Sequence, residues 1–367
     1  MSRTFKAFSM NPKVQFPTQF PGAKDGASGH PQGPRLHPWM GPWFVPLSAL
    51  WYAILATRHA LYNWGLLRSE RSLIPTLVVG NMELGGTGKT PHVMDLANRL
   101  EARLGEGRVG ILSRGYGRRS ASSFAWVADA TGWTDVGDEP WMMQAHTPTI
   151  PVAVCTDRLA GLRKMRHDKP ELKVVVLDDG LQHRKLRPHA SVALVSRAVP
   201  RLGLGSLVPA GPWRDLPRRL FQADAIVATQ RGVDLGPNEK TMGATTVVLE
   251  PLKRLHGMQD EAGPALLVTG IANPQRLVRS LGGHDVAGVA HYPDHHAFSE
   301  ADVLAWRQWG ETHGIRALLV CSKDAVRLKP LLDKLPGWTC WEAPMGLRWN
   351  DEARLNAWLD SWARSLP

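Results

Sequence analysis

From Leu73 onward the chain alternates short apolar runs with stretches of helical periodicity. "TLVVG" (76–80), "RVGILS" (108–113), "PVAVC" (151–155), "KVVVLDD" (173–179), "SVALVS" (191–196) and "DAIVAT" (224–229) are apolar nearly throughout. Strands covered on both faces read this way. Helical stretches fall between several of them, among them Lys89 to Leu104 and Arg158 to Arg166. Such a βαβ series predicts an α/β fold built on a doubly wound, mainly parallel sheet. A second series follows Thr241: "TTVVLEPL", "ALLVTGI", a helix near Pro274 to Leu281, "HDVAGVAHYPDHHAF", "RALLVCS" and a last helix from Asp351. Ser299 and Asp302 have the spacing of a capping box at the start of another helix. The expected organisation is a nucleotide-binding domain over 71–240 and a smaller α/β lobe over 241–367.

The N-terminal part has a different pattern. "GPWFVPLSALWYAILAT" (41–57) holds no charge, and after Pro46 the residues Leu47, Leu50, Trp51, Ile54 and Leu55 recur at helical spacing. Seventeen residues with two prolines are short for crossing a bilayer. Two readings remain: a helix lying in the headgroup region, or a helix buried against the main domain. A rim of Trp39, Trp43, Trp64, Arg58 and Arg68 favours the first, so 38–70 is read as a membrane-associated helix. Residues 1–37 are rich in Pro, Gly and polar residues, carry Lys6, Lys13, Lys24 and Arg35, and read as a disordered basic tail.

A chain of 367 residues accommodates two lobes, and 43% hydrophobic with 21% charged residues is ordinary for a globular protein. The formal charge of +11 is not, and it implies an acidic partner: nucleic acid, an anionic membrane surface or a phosphorylated substrate. Cys155, Cys321 and Cys340 are odd in number and lack metal-ligand spacing, which excludes a disulfide framework.

"VVGNMELGGTGKTP" (78–91) follows a strand and opens a helix, the context of a phosphate-binding loop. Gly85, Gly86 and Gly88 permit the backbone, together with Thr87, to turn its N–H groups toward phosphates. Lys89 would reach the β- and γ-phosphates and Thr90 would hold Mg²⁺. The pattern G-x-x-x-x-G-K-[ST] asks for glycine at position 83, where this chain has Glu83. A glutamate there is compatible with the cradle only if its side chain turns away. "VVVLDDG" (174–180) is a buried run ending in Asp178 and Asp179, which either order Mg²⁺ or cap a turn. Ser322-Lys323-Asp324 is the nearest approach to a guanine-nucleotide switch element, at the wrong spacing, and Leu84 stands where a partitioning-type ATPase has lysine.

Further elements occur in order: "SRGYGRR" (113–119), "GDEP" (137–140), "DDGLQH" (178–183), "PAGPWRD" (209–215), "GIANP" (270–274) and "YPDHHAF" (292–298). Taken together this set resembles the tetraacyldisaccharide 4'-kinase family, the lipid A 4'-kinases, from about residue 39 to the C-terminal region. The resemblance implies an ATP- and Mg²⁺-dependent kinase that phosphorylates the 4'-hydroxyl of an acylated disaccharide lipid. It implies work at the cytoplasmic face of the bacterial inner membrane, with no nucleic-acid ligand and no obligate protein partner. It matches Asp138 to the family's proposed base and His295 to the histidine beside it, with His296 as the alternative. Read without the resemblance, Asp138 is equally an N-terminal helix cap. Arg214 and Asp215 match an arginine-acid pair near phosphate and metal, with Asp one methylene shorter than the expected Glu. Ser113, Arg114, Tyr116 and His183 fall at carboxyl ends of strands, where ligands bind in open α/β sheets. Arg118, Arg119, Arg184, Lys185 and Arg187 either receive the lipid's existing phosphate or form solvated surface. A nucleic-acid-associated P-loop ATPase is the alternative, and a membrane-anchored scaffold without catalysis a third.

Overall fold

The six apolar runs of the first series all become strands, because each is covered on both faces and only a continuous apolar run tolerates that. The computed structural model describes residues 42–119, 122–197, 204–230, 233, 235, 239–248, 251–258, 263–271, 274–281 and 283–366. The basic tail expected over 1–37, Trp39, and Ala272 and Asn273 of "GIANP" lie outside them. The chain divides into two units, one of Pro31–Val247 with Met345–Pro367, the other containing Val248–Pro344.

Numbered along the chain, the strands of the larger unit are β1 (Thr76–Asn81), β2 (Val109–Ser113), β3 (Phe124–Trp126), β4 (Val152–Cys155), β5 (Val174–Asp178), β6 (Ala190–Val195), β7 (Ala225–Ala228), β8 (Thr241–Val248) and β14 (Met345–Trp349). Among the described residues they form one sheet in the order β14-β8-β7-β6-β1-β5-β2-β4-β3. The pairs from β8 across to β4 are parallel, and β3 closes that edge antiparallel to β4. From β1 the chain moves outward to β2, returns to β5, and then crosses β1 to continue as β6. That reversal opens a crevice at the carboxyl end of β1. Its helices are α1 (Val45–Asn63), α2 (Lys89–Leu104), α3 (Trp133–Val136), α4 (Asp138–His146), α5 (Arg158–Asp168) and α9 (Glu352–Arg364).

Helix α1 satisfies parts of both readings of the N-terminal segment. One face packs on the larger unit. There Ser48 Oγ donates to Leu207 O at 2.8 Å and accepts from Ala210 N at 2.9 Å, and Leu55 joins Met82, Val195 and Trp213 in a core cluster. The opposite face leaves Leu47, Leu50 and Ile54 53%, 60% and 47% exposed, with Trp43 at 91%. Among the described residues no helix is long and apolar enough to cross a membrane.

The smaller unit has a five-stranded sheet among the described residues, ordered β11-β10-β12-β13-β9, from β9 (Lys253–His256), β10 (Ala265–Thr269), β11 (Val286–His291), β12 (Ala317–Cys321) and β13 (Thr339–Ala343). It is parallel except for the β13-β9 edge. Helices α6 (Pro274–Ser280), α7 (Glu300–His313) and α8 (Ser322–Leu328) accompany it. Helix α7 starts with the capping box expected from Ser299 and Asp302, both reciprocal bonds being present. Its core centres on Tyr292, Phe298 and Trp306, with Trp306 Nε1 donating to Tyr292 Oη at 2.8 Å.

The single boundary expected near residue 240 differs from this division. Strand β8 completes the first sheet, and residues 345–367 return to it as β14 and α9. Trp349 Nε1 donates to Asp95 at 2.9 Å, and Arg99 of α2 reaches Glu352 at 2.9 Å. Strand periodicity reports burial but not which sheet a strand joins.

Candidate nucleotide and phosphotransfer site

Strand β1 ends in Asn81, and the chain then runs through an open loop into α2. Gly85 and Gly88 have φ of 108° and 78°, a region that side chains with a Cβ rarely enter, and Gly88 is the N-cap of α2. A Cβ on Gly85 or Gly86 would meet open space, so strain rather than crowding selects glycine at 85. Thr87 and Thr90 are buried, and Thr87 Oγ1 has no hydrogen-bond partner among the described residues.

Glu83 is 1% exposed and points away from the loop. Its two carboxylate oxygens accept from Ser196 N and Ser196 Oγ, each at 2.7 Å, and Arg197 Nε lies 3.3 Å away. Ser196 follows the last residue of β6, so the glutamate binds the loop to the neighbouring strand's end. The cradle keeps its shape by a buried charged hydrogen bond and gains no charge facing a phosphate.

Asn81 is fully buried and organises the mouth of the loop, although only its polarity at the end of an apolar strand hints at this in the sequence. Its amide donates to Glu83 O at 3.0 Å, while its Oδ1 accepts from Lys89 Nζ at 3.4 Å and Arg214 Nη2 at 2.5 Å. Its carbonyl accepts from Gln182 Nε2 at 2.7 Å. Arg214 also pairs with Asp179, which follows the last residue of β5 with a φ of 52°.

Asp178 is the last residue of β5. Its Oδ2 accepts from Ser113 Oγ at 3.0 Å; its Oδ1 is buried with no partner among the described residues. Burial, then the charges of Glu139 and Asp179, push its carboxyl up to about 7 against the pull of Lys89 and Arg158. Arg158, unanticipated from the sequence, is buried beneath the site and donates to Asp178 O and Cys155 O, each at 2.8 Å. Desolvation lowers its pKa, with the two aspartates opposing. Glu139 was likewise missed, since its charge matters only through the folded proximity to Asp178. His183 has a buried Nε2 with no partner among the described residues, and burial followed by the Arg158 charge lowers its pKa.

Asp138 is the first residue of α4 and 3% exposed, and its Oδ1 accepts the Glu139 N–H at 2.9 Å. The Gly115–Gly117 turn packs here: a Cβ on Gly137 would come 2.8 Å from Tyr116 O. Arg114, Tyr116 and Arg118 line a cavity of ≈ 590 Å³ with Ser122, Ser123 and Thr156. The basic cluster does not act as one patch, because Arg184 is tied to α1, donating to His59 O at 3.1 Å and Asn63 Oδ1 at 2.9 Å.

Asp215 requires a correction. It was expected among the metal ligands, but its buried carboxylate accepts from Leu216 N at 2.7 Å and is paired with Arg219 and with His59 at 2.8 Å. Burial opposes ionisation, yet the His59 bond and the Arg219 charge hold its pKa below the usual range. It anchors α1 to the core.

His295 belongs to the smaller unit, in the turn after β11, with φ of 61° and an exposed side chain. His296 is stacked on Tyr292 at 4.5 Å and bonded to Asp302 at 3.2 Å, so its ring is engaged in the core of that unit. Among the described residues no three His, Cys, Asp or Glu side chains converge as a self-sufficient metal cage.

A glycine loop feeding a helix N-terminus beside a strand that ends in a buried carboxylate defines a class, the P-loop α/β phosphotransfer proteins. The family model described as Tetraacyldisaccharide-1-P 4'-kinase (LpxK) matches residues 40–364, and the chain belongs to that family. It is 30% identical over 331 residues to a tetraacyldisaccharide 4'-kinase of Cytophaga hutchinsonii, covering 85% of this chain and 93% of that one. To the enzyme of that name from Xanthomonas euvesicatoria it is 35% identical over 303 residues, covering 78% and 84%. A crystal structure of "apo" form LpxK from Aquifex aeolicus in complex with ATP superposes with a TM-score of 0.69 at 25% identity, covering 87% of this chain and 98% of that one. The protein is thus a kinase of this family.

Proposed function

We propose that the protein transfers the γ-phosphate of ATP to the 4'-hydroxyl of a tetraacylated glucosamine disaccharide 1-phosphate, in lipid A biosynthesis, with Mg²⁺ as cofactor. The observation that carries this reading is the open glycine loop leading from β1 into Lys89, with an Asp178 oxygen that has no partner among the described residues at the end of the adjacent strand β5, in a chain of this family.

The loop amides from Gly85 to Thr90 and the Lys89 ammonium bind and orient the triphosphate, while Glu83 keeps its charge out of their way. The donor set fits Mg²⁺: it takes one or two carboxylates and otherwise phosphate and water oxygens, and Asp178 Oδ1 has no competing partner among the described residues. Thr90 and Asp178 would hold it, while Asp179 is paired with Arg214. When bound, Mg²⁺ neutralises charge developing on the transferred phosphoryl group. Arg214 supplies positive charge at the same mouth. Asp138 acts as the base that takes the acceptor hydroxyl's proton, and the cleft of Arg114, Tyr116 and Arg118 receives polar parts of the acceptor. The exposed apolar face of α1 lies on the cytoplasmic leaflet of the inner membrane, acyl chains near it. No specific observation favours a nucleic-acid-dependent ATPase.

The test is purified protein with labelled ATP, Mg²⁺ and the 1-phosphorylated acylated disaccharide in mixed micelles, beside reactions with DNA. A labelled lipid is expected from wild type and none from Lys89→Ala. Lipid labelling that survives Lys89→Ala, or ATP turnover stimulated by DNA alone, would discard the reading.

A further inference from the structure

The mouth of the loop brings two cations to one uncharged side chain. Asn81 is fully buried, and three partners fix the plane of its amide. Its Nδ2 donates to Glu83 O at 3.0 Å, which turns Oδ1 to the opposite side. There Oδ1 accepts from Arg214 Nη2 at 2.5 Å and from Lys89 Nζ at 3.4 Å. The amide oxygen alone can accept from the cations, and the amide nitrogen alone can serve the carbonyl, so the group has one orientation. A guanidinium and an ammonium gathered on one oxygen repel each other. The amide dipole offsets part of that repulsion without cancelling a charge. A carboxylate would hold the pair more tightly, but it would neutralise one positive charge, and its second oxygen would face Glu83 O, acceptor against acceptor.

The main chain of Asn81 is fixed as well as its side chain. Its carbonyl accepts from Gln182 Nε2 at 2.7 Å and from Arg214 Nη2 at 3.1 Å. Gln182 is pinned in turn: its own carbonyl accepts from Arg58 Nη2 of α1 and from the Arg184 N–H, each at 3.1 Å. Arg184 is bonded to α1 through His59 O and Asn63 Oδ1. The oxygen that gathers the two cations therefore hangs from α1 through residues 182–184.

We infer that Asn81 is a positioning residue that sets Lys89 and Arg214 side by side with both charges available to a nucleotide's phosphates, and that Gln182, pinned to α1, keeps it in place. The inference rests on the reading in which this loop binds ATP, and its test separates the two. Full-length protein with Mg²⁺ is titrated with ATP and with ADP by calorimetry. Asn81→Asp keeps the size of the side chain and cancels one positive charge. Its ATP affinity is expected to fall about 10- to 100-fold and its ADP affinity by a smaller factor, because the ligand with the larger phosphate charge loses most when a cation is neutralised. Gln182→Met removes the donor to Asn81 O, and ATP affinity is expected to fall about 3- to 10-fold, again more than ADP affinity. ATP affinity equal to wild type in either variant overturns the inference. So do equal losses for ATP and ADP, which a merely distorted loop would give. No ATP binding by wild type would discard the reading itself and the inference with it. If Asn81→Asp does not fold, the half-buried Gln182→Met decides by the same comparison of ATP with ADP.

Discussion

Glu83 occupies the position where this loop pattern ordinarily has glycine, and its role depends on direction alone. Both its oxygens serve Ser196, so the residue braces the loop against the end of β6. Glu83→Gly restores the common pattern but leaves the buried Ser196 N–H and hydroxyl without their acceptor. It is expected to cost about 3 kcal/mol of stability by denaturant unfolding; unchanged stability would show that the brace carries no energy. Asp178 makes the opposite compromise, since its burial disfavours a bare carboxylate and suits one that faces a cation. Its carboxyl is raised from 3.8 to about 7 on folding. Such a group favours the folded state fully below the unfolded value and loses that contribution as pH rises through about 7. In ligand-free protein, wild type is therefore expected to lose more Tm than Asp178→Asn between about pH 5 and pH 8. Parallel Tm–pH curves for the two proteins would refute the assigned burial cost, and the variant is expected to be inactive in either case.

At the scale of elements, α1 has two jobs written on two faces. Ser48, Leu55 and His59 hold it to the larger unit, and the Asp215 carboxylate is committed to that attachment. Leu47, Leu50 and Ile54 are left facing outward at spacings of three and four residues. Leu50→Asp with Ile54→Asp is expected to weaken binding to vesicles containing anionic phospholipid on the order of 10- to 100-fold, the value of two partly buried aliphatic side chains. Thermal unfolding is expected to change little, because neither side chain contributes to the packed face. Equal partitioning of variant and wild type would detach this helix from the membrane. The sequence shows the apolar stripe and the Trp–Arg rim, but periodicity alone leaves burial and membrane contact as alternatives. A helix with 3.6 residues per turn can meet protein on one side and lipid on the other.

For the molecule as a whole, the chain leaves the larger unit at Val248 and returns at Met345. Strand β14 covers the edge of β8, and α9 buries Leu355 and Leu359 beside α2 while its acids meet Arg99 and Arg103. Deleting residues 345–367 exposes that edge and the apolar side of the helix that begins at the phosphate loop. The truncated chain is expected to lose soluble yield and to melt well below the full chain. Undiminished nucleotide binding and melting would make the returning segment dispensable.

The sequence by itself determined the phosphate loop, the strands around it, the capping box of α7 and the family, because each is a local pattern or an ordered set of local patterns. Glycines at forced positive φ, period-free apolar runs and a serine three residues before an aspartate need no distant partner to be recognised. Only the tertiary structure decided that Glu83 faces Ser196, that Asn81 joins Lys89 to Arg214, that Asp215 anchors a helix, and that residues 345–367 complete the first sheet. Each of these is a contact between segments far apart in the chain. The direction of a side chain and the partner of an edge strand are set by what folding brings beside them.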